Sequence, residues 1–293
     1  MAARISIMNP IYLALGFSVC DFFYTIWVKR LLDDKYRPFD IIRFWMIFTG
    51  LASLVALFFM GIHIHSNLFY VGLIGFAFTT ILGHYFQVKA IEKLPLSIVS
   101  PLGALFPVLM IIVAVFTLGE IPSLIGLIGI LIVVAGSYTL TLKSTNHLME
   151  PLIFLFKNKK VWLKHFANIS WAFAAVFLKI ALTNAEIFSG MFILSAVVGF
   201  VALTSFWIYA PQKNLFRCKT LLFGIGFIRL FQNIFQWMLL TVVLLGYGVA
   251  FTNLSLIFLA IAGKFYFKEK QGWERIISVL VMYVGIQLIL LYG

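Results

Sequence analysis

Few ionisable or amide side chains fall inside the long apolar runs of this sequence, so chemistry is sought there first. Asp21 sits in the middle of the first run. A carboxylate at the centre of a bilayer-spanning helix costs about 2.5–3.5 kcal/mol on insertion scales, so it needs a partner, a proton or water. Asp21 either binds a cationic group or takes up a proton, or it serves as a structural member of an ion pair. Arg229, Gln232, Asn233 and Gln236 follow one another at i, i+3, i+4 and i+7, which puts all four on one helical face. Apolar residues fill the positions between them. Such a stripe at mid-bilayer depth forms the wall of a site, with Arg229 meeting an anionic group and the amides orienting it, or it hydrogen-bonds a neighbouring helix. If Asp21 and Arg229 pair, a zwitterionic solute could replace each partner in turn.

Lesser candidates lie around these. Thr80, His84 and Gln87 share a face at i, i+4 and i+7, and His84 is either a proton relay or a neutral hydrogen-bond partner. Arg43 lies early in the second run and either lines an approach to the site or snorkels to headgroups. Lys179 is expected to snorkel. Tyr24, Trp27, Trp45, Tyr85 and Asn253 are candidate lining residues, although aromatics at this density also pack and anchor. Pro101 and Pro107 interrupt the fourth run, either as a gating hinge or as a fixed kink.

Catalytic and metal signatures are missing. No phosphate-binding loop ending in GK[ST], no HExxH, no Cys/His cluster and no G-x-S-x-G elbow occurs. The sequence therefore reads as neither an enzyme nor a metalloprotein, with no cofactor expected. Cys20 and Cys218 are too few for a disulfide framework.

The elements that must position these residues are membrane helices. Of 293 residues, 63% are hydrophobic and 11% charged, and the mean hydropathy is +1.06. A soluble domain carries about a quarter charged residues. The net charge of +12 would suggest nucleic acid in a soluble protein, but here the cations read as topology-setting loop charges. A span needs roughly 20 mostly apolar residues. Ten are expected, at 10–31, 38–60, 68–91, 96–118, 122–142, 162–183, 188–210, 219–243, 247–266 and 273–292.

The fold class expected is an all-α polytopic membrane protein with ten transmembrane helices in two inverted five-helix repeats. The first repeat is 1–142, the linker 143–161, and the second, degenerate repeat 162–293. A shift of about 150 residues lays Lys29 on Lys179, Glu120 on Glu269 and Gly136 on Gly285. An odd number of spans per half inverts the second copy, which puts a substrate site near the midplane between the copies. Most of the 22 basic residues fall after spans 1, 3, 5, 7 and 9, which makes those loops cytoplasmic and puts both termini outside.

The stretch from Gly83 to Tyr138 carries a resemblance. It contains Gly83-x-Tyr85, then Ala90 with Pro95 and Ser97, Pro107-Val108, Gly119-Glu120, and Gly126, Gly129 and Gly136. This ordered set resembles the EamA repeat of the drug/metabolite transporter superfamily. The resemblance implies a ten-helix secondary transporter that moves a small organic metabolite by alternating access, with protons as a candidate coupling ion. The family is usually drawn with both termini inside, opposite to the charge count. Small exporters of the same superfamily use a carboxylate in their first helix, which by analogy favours Asp21. An amino-acid-like or other zwitterionic solute suits Asp21 with Arg229. The alternatives are a flippase for a lipid-linked or phosphorylated headgroup and a non-transporting membrane scaffold. The expected partners are a small-molecule substrate and the lipid bilayer, not nucleic acid, in a monomer or homodimer of the bacterial inner (plasma) membrane.

Overall fold

The computed structural model describes residues 9–93, 106–141, 159–205, 210–212, 215–255, 257–258 and 273–292. Ten α-helices run through them: α1 (Pro10–Asp33), α2 (Pro38–Met60), α3 (Leu68–Lys93), α4 (Phe106–Leu118), α5 (Leu124–Thr141), α6 (Trp162–Thr183), α7 (Ile187–Thr204), α8 (Lys219–Val242), α9 (Leu245–Thr252) and α10 (Trp273–Tyr292). No strand occurs among the described residues; Ile64 and Ala185 form one isolated bridge.

Local sequence sets the helix limits. Asn9 caps α1 by accepting from Ile11 N at 3.0 Å, and Pro10 and Pro38 occupy first-turn positions where a missing N–H costs nothing. Gly61 ends α2 at φ +77°, and Gly119 follows α4 at φ +67°, a backbone region that disfavours a side chain. Glu186 caps α7 by accepting from Ser189 N at 2.7 Å.

Six helical stretches are long and apolar enough to cross a membrane: Pro10–Asp33, Pro38–Met60, Leu68–Ala90, Lys159–Thr183, Ile187–Thr204 and Lys219–Val242. Phe106–Leu118, Leu124–Thr139 and Ile277–Tyr292 are shorter apolar helices. The fourth and ninth expected spans run into residues outside the described set, as does most of the 143–161 linker, and so does Pro101. Pro107 is the second residue of α4 and is buried. Outward faces are apolar: Phe58 and Phe116 are each 85% exposed. Water would penalise that surface, and lipid tails do not.

Helix pairing is the feature that positions the site. α1 packs on α8, α3 on α6, α2 on α7, α4 on α9 and α5 on α10. Each partnership joins the first half of the chain to the second. Small residues allow it. A Cβ on Gly224 would strike the Trp27 ring, and one on Gly75 would strike the Phe177 ring. A Cβ on Gly129 would lie 2.9 Å from Gly285 O, and one on Gly136 would lie 2.9 Å from Ser278 O. A shift of about 150 residues carries the first contact of each couple onto the second.

Two ends are defined by polar turns. At one, His65 N donates to Asn184 O and Glu186 N to His63 O, both at 2.9 Å, and His63 N donates to Ser189 Oγ at 2.9 Å. At the other, Gln212 N donates to Asp40 Oδ2 and Arg37 N to Gln212 Oε1, both at 3.1 Å. These are called the Asn184 end and the Gln212 end below.

Candidate functional site

The polar groups buried in the spans gather where α1, α2, α3, α8 and the segment after α9 meet. Arg229 Nη1 donates to Gln232 Oε1 at 3.0 Å, and Gln232 Nε2 donates to Asp21 Oδ1 at 2.7 Å. The direct Asp21–Arg229 pair expected from depth is replaced by a three-member chain, because one turn of α8 carries the amide between them. Ser255 also hydrogen-bonds the Asp21 carboxylate. The two ends of the amide match the charges they face: its oxygen meets the cation and its nitrogen the carboxylate.

Arg229 is held as a plane. Its Cζ lies 4.1 Å from the Trp45 ring centre and 4.8 Å from that of Tyr24. A guanidinium stacks on aromatic faces and keeps its edge donors free to meet an oxyanion, which a lysine would not do. Its Nε is buried with no hydrogen-bond partner among the described residues. Trp45 continues into an aromatic run, meeting His84 at 5.7 Å, and His84 meets Trp171 at 5.7 Å. Asp21, Tyr24, His84 and Arg229 are each half-buried although they face one another across the bundle, whereas Gln232 and Trp45 are buried.

The other expected site residues fall apart from this cluster to different degrees. Gln87 accepts from Lys164 Nζ at 2.9 Å, one turn from His84. Asn233 is buried and Gln236 half-buried along α8. Asn253 follows α9, with its Nδ2 buried and without a hydrogen-bond partner among the described residues. Arg43 pairs with Asp40 one turn away on α2 and lies over the Phe39 ring, which holds it near the Gln212 end. Thr80 Oγ1 is buried with no hydrogen-bond partner among the described residues.

One expectation is corrected. Lys179 does not snorkel: its Nζ is 2.6 Å from Glu120 Oε1 and donates to Val243 O at 2.9 Å. Glu120 Oε2 in turn accepts from Leu245 N at 2.7 Å. One ion pair therefore ties α6 to the α4–α5 turn and the α8–α9 turn, toward the Asn184 end. Lys164 falls within the expected 162–183 span. It lies in α6, is 4% exposed, and sits 5.0 Å over the Trp171 ring.

Sequence reasoning missed Ser255, Trp171 and Lys164 around the site, and the Lys179–Glu120 pair apart from it. Trp171 could have been found, because the shift of about 150 residues that aligns the halves sets it opposite Asp21. Gly83 is likewise the counterpart of Gln232, and a Cβ on Gly83 would strike the Trp171 indole. One half thus fills with a ring and a glycine the place where the other half has a carboxylate and an amide.

No curated protein matches this sequence. Among solved structures, one described only as a crystal structure of a protein superposes with a TM-score of 0.70 over 94% of this chain and 96% of its own, at 12% identity. At that identity the likeness is one of fold. Residues 8–142 match the EamA-like transporter family. Over these residues the chain is similar to the EamA-like transporter family, which is consistent with a membrane transporter of the drug/metabolite type.

Proposed function

We propose that the chain is a secondary transporter that moves a small organic solute by alternating access, with Asp21 and Arg229 as the groups that grip it. The ten helices would form two inverted five-helix repeats with the solute between them. The helix pairing supports this reading, since it is unchanged when every helix is renumbered by five. The single observation that carries the site is the Arg229–Gln232–Asp21 chain, half-buried at both charged ends and sealed at the amide in the middle.

A solute with an anionic group and an ammonium would exchange the Gln232 contacts for its own, carboxylate to Arg229 and ammonium to Asp21. Charge-assisted bonds are the stronger ones, so the exchange favours a zwitterion over a neutral solute. The Lys179–Glu120 pair supports closure toward the Asn184 end, leaving the Gln212 end as the side of access. By charge count that end is cytoplasmic, in a bacterial inner membrane. Pro101 and Pro107 are the proposed hinge of the fourth span, and protons the proposed coupling ion.

The test is a thermal-shift screen of metabolites on the purified chain. A ligand at about 100 times its Kd stabilises by about 2.7 kcal/mol. A stabilising solute whose effect disappears in Asp21→Asn and Arg229→Gln supports the reading. A solute whose effect is untouched by both replacements argues against it.

A further inference from the structure

We infer that Lys164 is a second anion-binding position of the same pocket, and that the carried solute bears two anionic groups, one held by Arg229 and the other by Lys164. This rests on the reading of the chain as a solute carrier. Lys164 is 4% exposed. Its Nζ donates to Gln87 Oε1 at 2.9 Å and lies 5.0 Å over the Trp171 ring. Neither partner is charged. Among the described residues no carboxylate pairs with it, whereas Lys179 has Glu120 and Arg43 has Asp40. A buried cation without a counter-ion is costly, and a spanning segment makes it more so. An ammonium has three donors, and Gln87 takes one. The fold keeps a cation where the described chain supplies no anion, which is the arrangement of a site that receives one.

Its position joins it to the Arg229 cluster. From Lys164 the contacts run through Trp171, His84 and Trp45 to Arg229, each step between 4.1 and 5.7 Å. Gln87 follows His84 by three residues on α3, so the ammonium lies roughly 5 Å nearer the Gln212 end than the His84 level. The Lys179–Glu120 pair closes toward the opposite end. A solute approaching from the Gln212 end therefore reaches Lys164 before Arg229, and one whose two anionic groups lie far enough apart engages both. With Asp21 taking an ammonium, the class is an acidic amino acid or a related dicarboxylate.

The experiment is calorimetric titration of the purified full chain with two matched pairs, L-glutamate against L-glutamine and succinate against succinamate. Within each pair only the second charge differs. The doubly anionic member is expected to bind at least tenfold more tightly. Lys164→Gln should erase that preference, and Lys164→Arg should keep it. Equal binding within both pairs overturns the inference, as does a preference that survives Lys164→Gln, or no binding by any of the four probes. The comparison on the unaltered chain decides even if Lys164→Gln fails to fold. Binding that needs Arg229 and is indifferent to Lys164 removes the second anion position and leaves the carrier reading in place.

Discussion

Gly50 of α2 and Gly199 of α7 face each other so closely that a Cβ on Gly50 would lie 2.8 Å from Gly199 Cα, and a Cβ on Gly199 would lie 2.7 Å from Gly50 Cα. Neither position can yield, because the obstacle on each side is backbone. The contact is reciprocal, and a shift of about 150 residues carries one glycine onto the other. Without a hydrophobic force between helices in lipid, such backbone approach is a main source of their attraction.

Gly50→Ala and Gly199→Ala should therefore each destabilise the protein. Overpacking a tight contact costs about 1–3 kcal/mol. Thermal unfolding in detergent, followed by tryptophan fluorescence, should show both variants melting below the parent. Unchanged melting would mean that α2 and α7 are further apart than described.

The Lys179–Glu120 pair is 17% and 11% exposed and is bonded at both ends to the α8–α9 turn. Removing one partner of a buried pair costs about 3–5 kcal/mol, because the other charge is left alone. Glu120→Gln and Lys179→Met should each lose stability, somewhat less than this given the partial exposure. The double variant should lose less than the two singles combined. Strict additivity in a double-mutant cycle would show that the two side chains act independently.

Much of the central chain could be read in the sequence, and the reasons are local. Arg229 and Gln232 are one turn apart on an otherwise apolar helix, so the 3.6-residue period alone puts them together. Asp21 is legible because a mid-span carboxylate has few acceptable places. Tyr24 and Trp45 were weak signals, since 17% of the chain is aromatic and rings fill every face. Lys164 was illegible because it sits near the start of a span, where lysines ordinarily reach headgroups, and only the packing of α3 on α6 buries it. The Lys179–Glu120 pair depends on α6 and two turns meeting at one end of the bundle, which no sequence spacing reports. Arg43 was ambiguous for the converse reason: Asp40, its partner, lies in the first turn of the same helix.

The stacked guanidinium makes charge alone insufficient at position 229. Arg229→Lys keeps the charge and loses the plane that Trp45 and Tyr24 hold, together with the paired edge donors. Solute affinity should fall at least tenfold, about 1.4 kcal/mol, in titrations with a solute found by thermal shift. Equal affinity in the lysine variant would mean that the ring contacts only pack.

The most direct test is counterflow. Proteoliposomes loaded with an unlabelled stabilising solute are placed in a trace of the labelled one, with no ATP and no ion gradient. Time-dependent accumulation of label by the parent chain, lost in Asp21→Asn and in Arg229→Gln, is the predicted result. No accumulation by the parent, or equal accumulation by both variants, would contradict the claim that these two residues grip a carried solute.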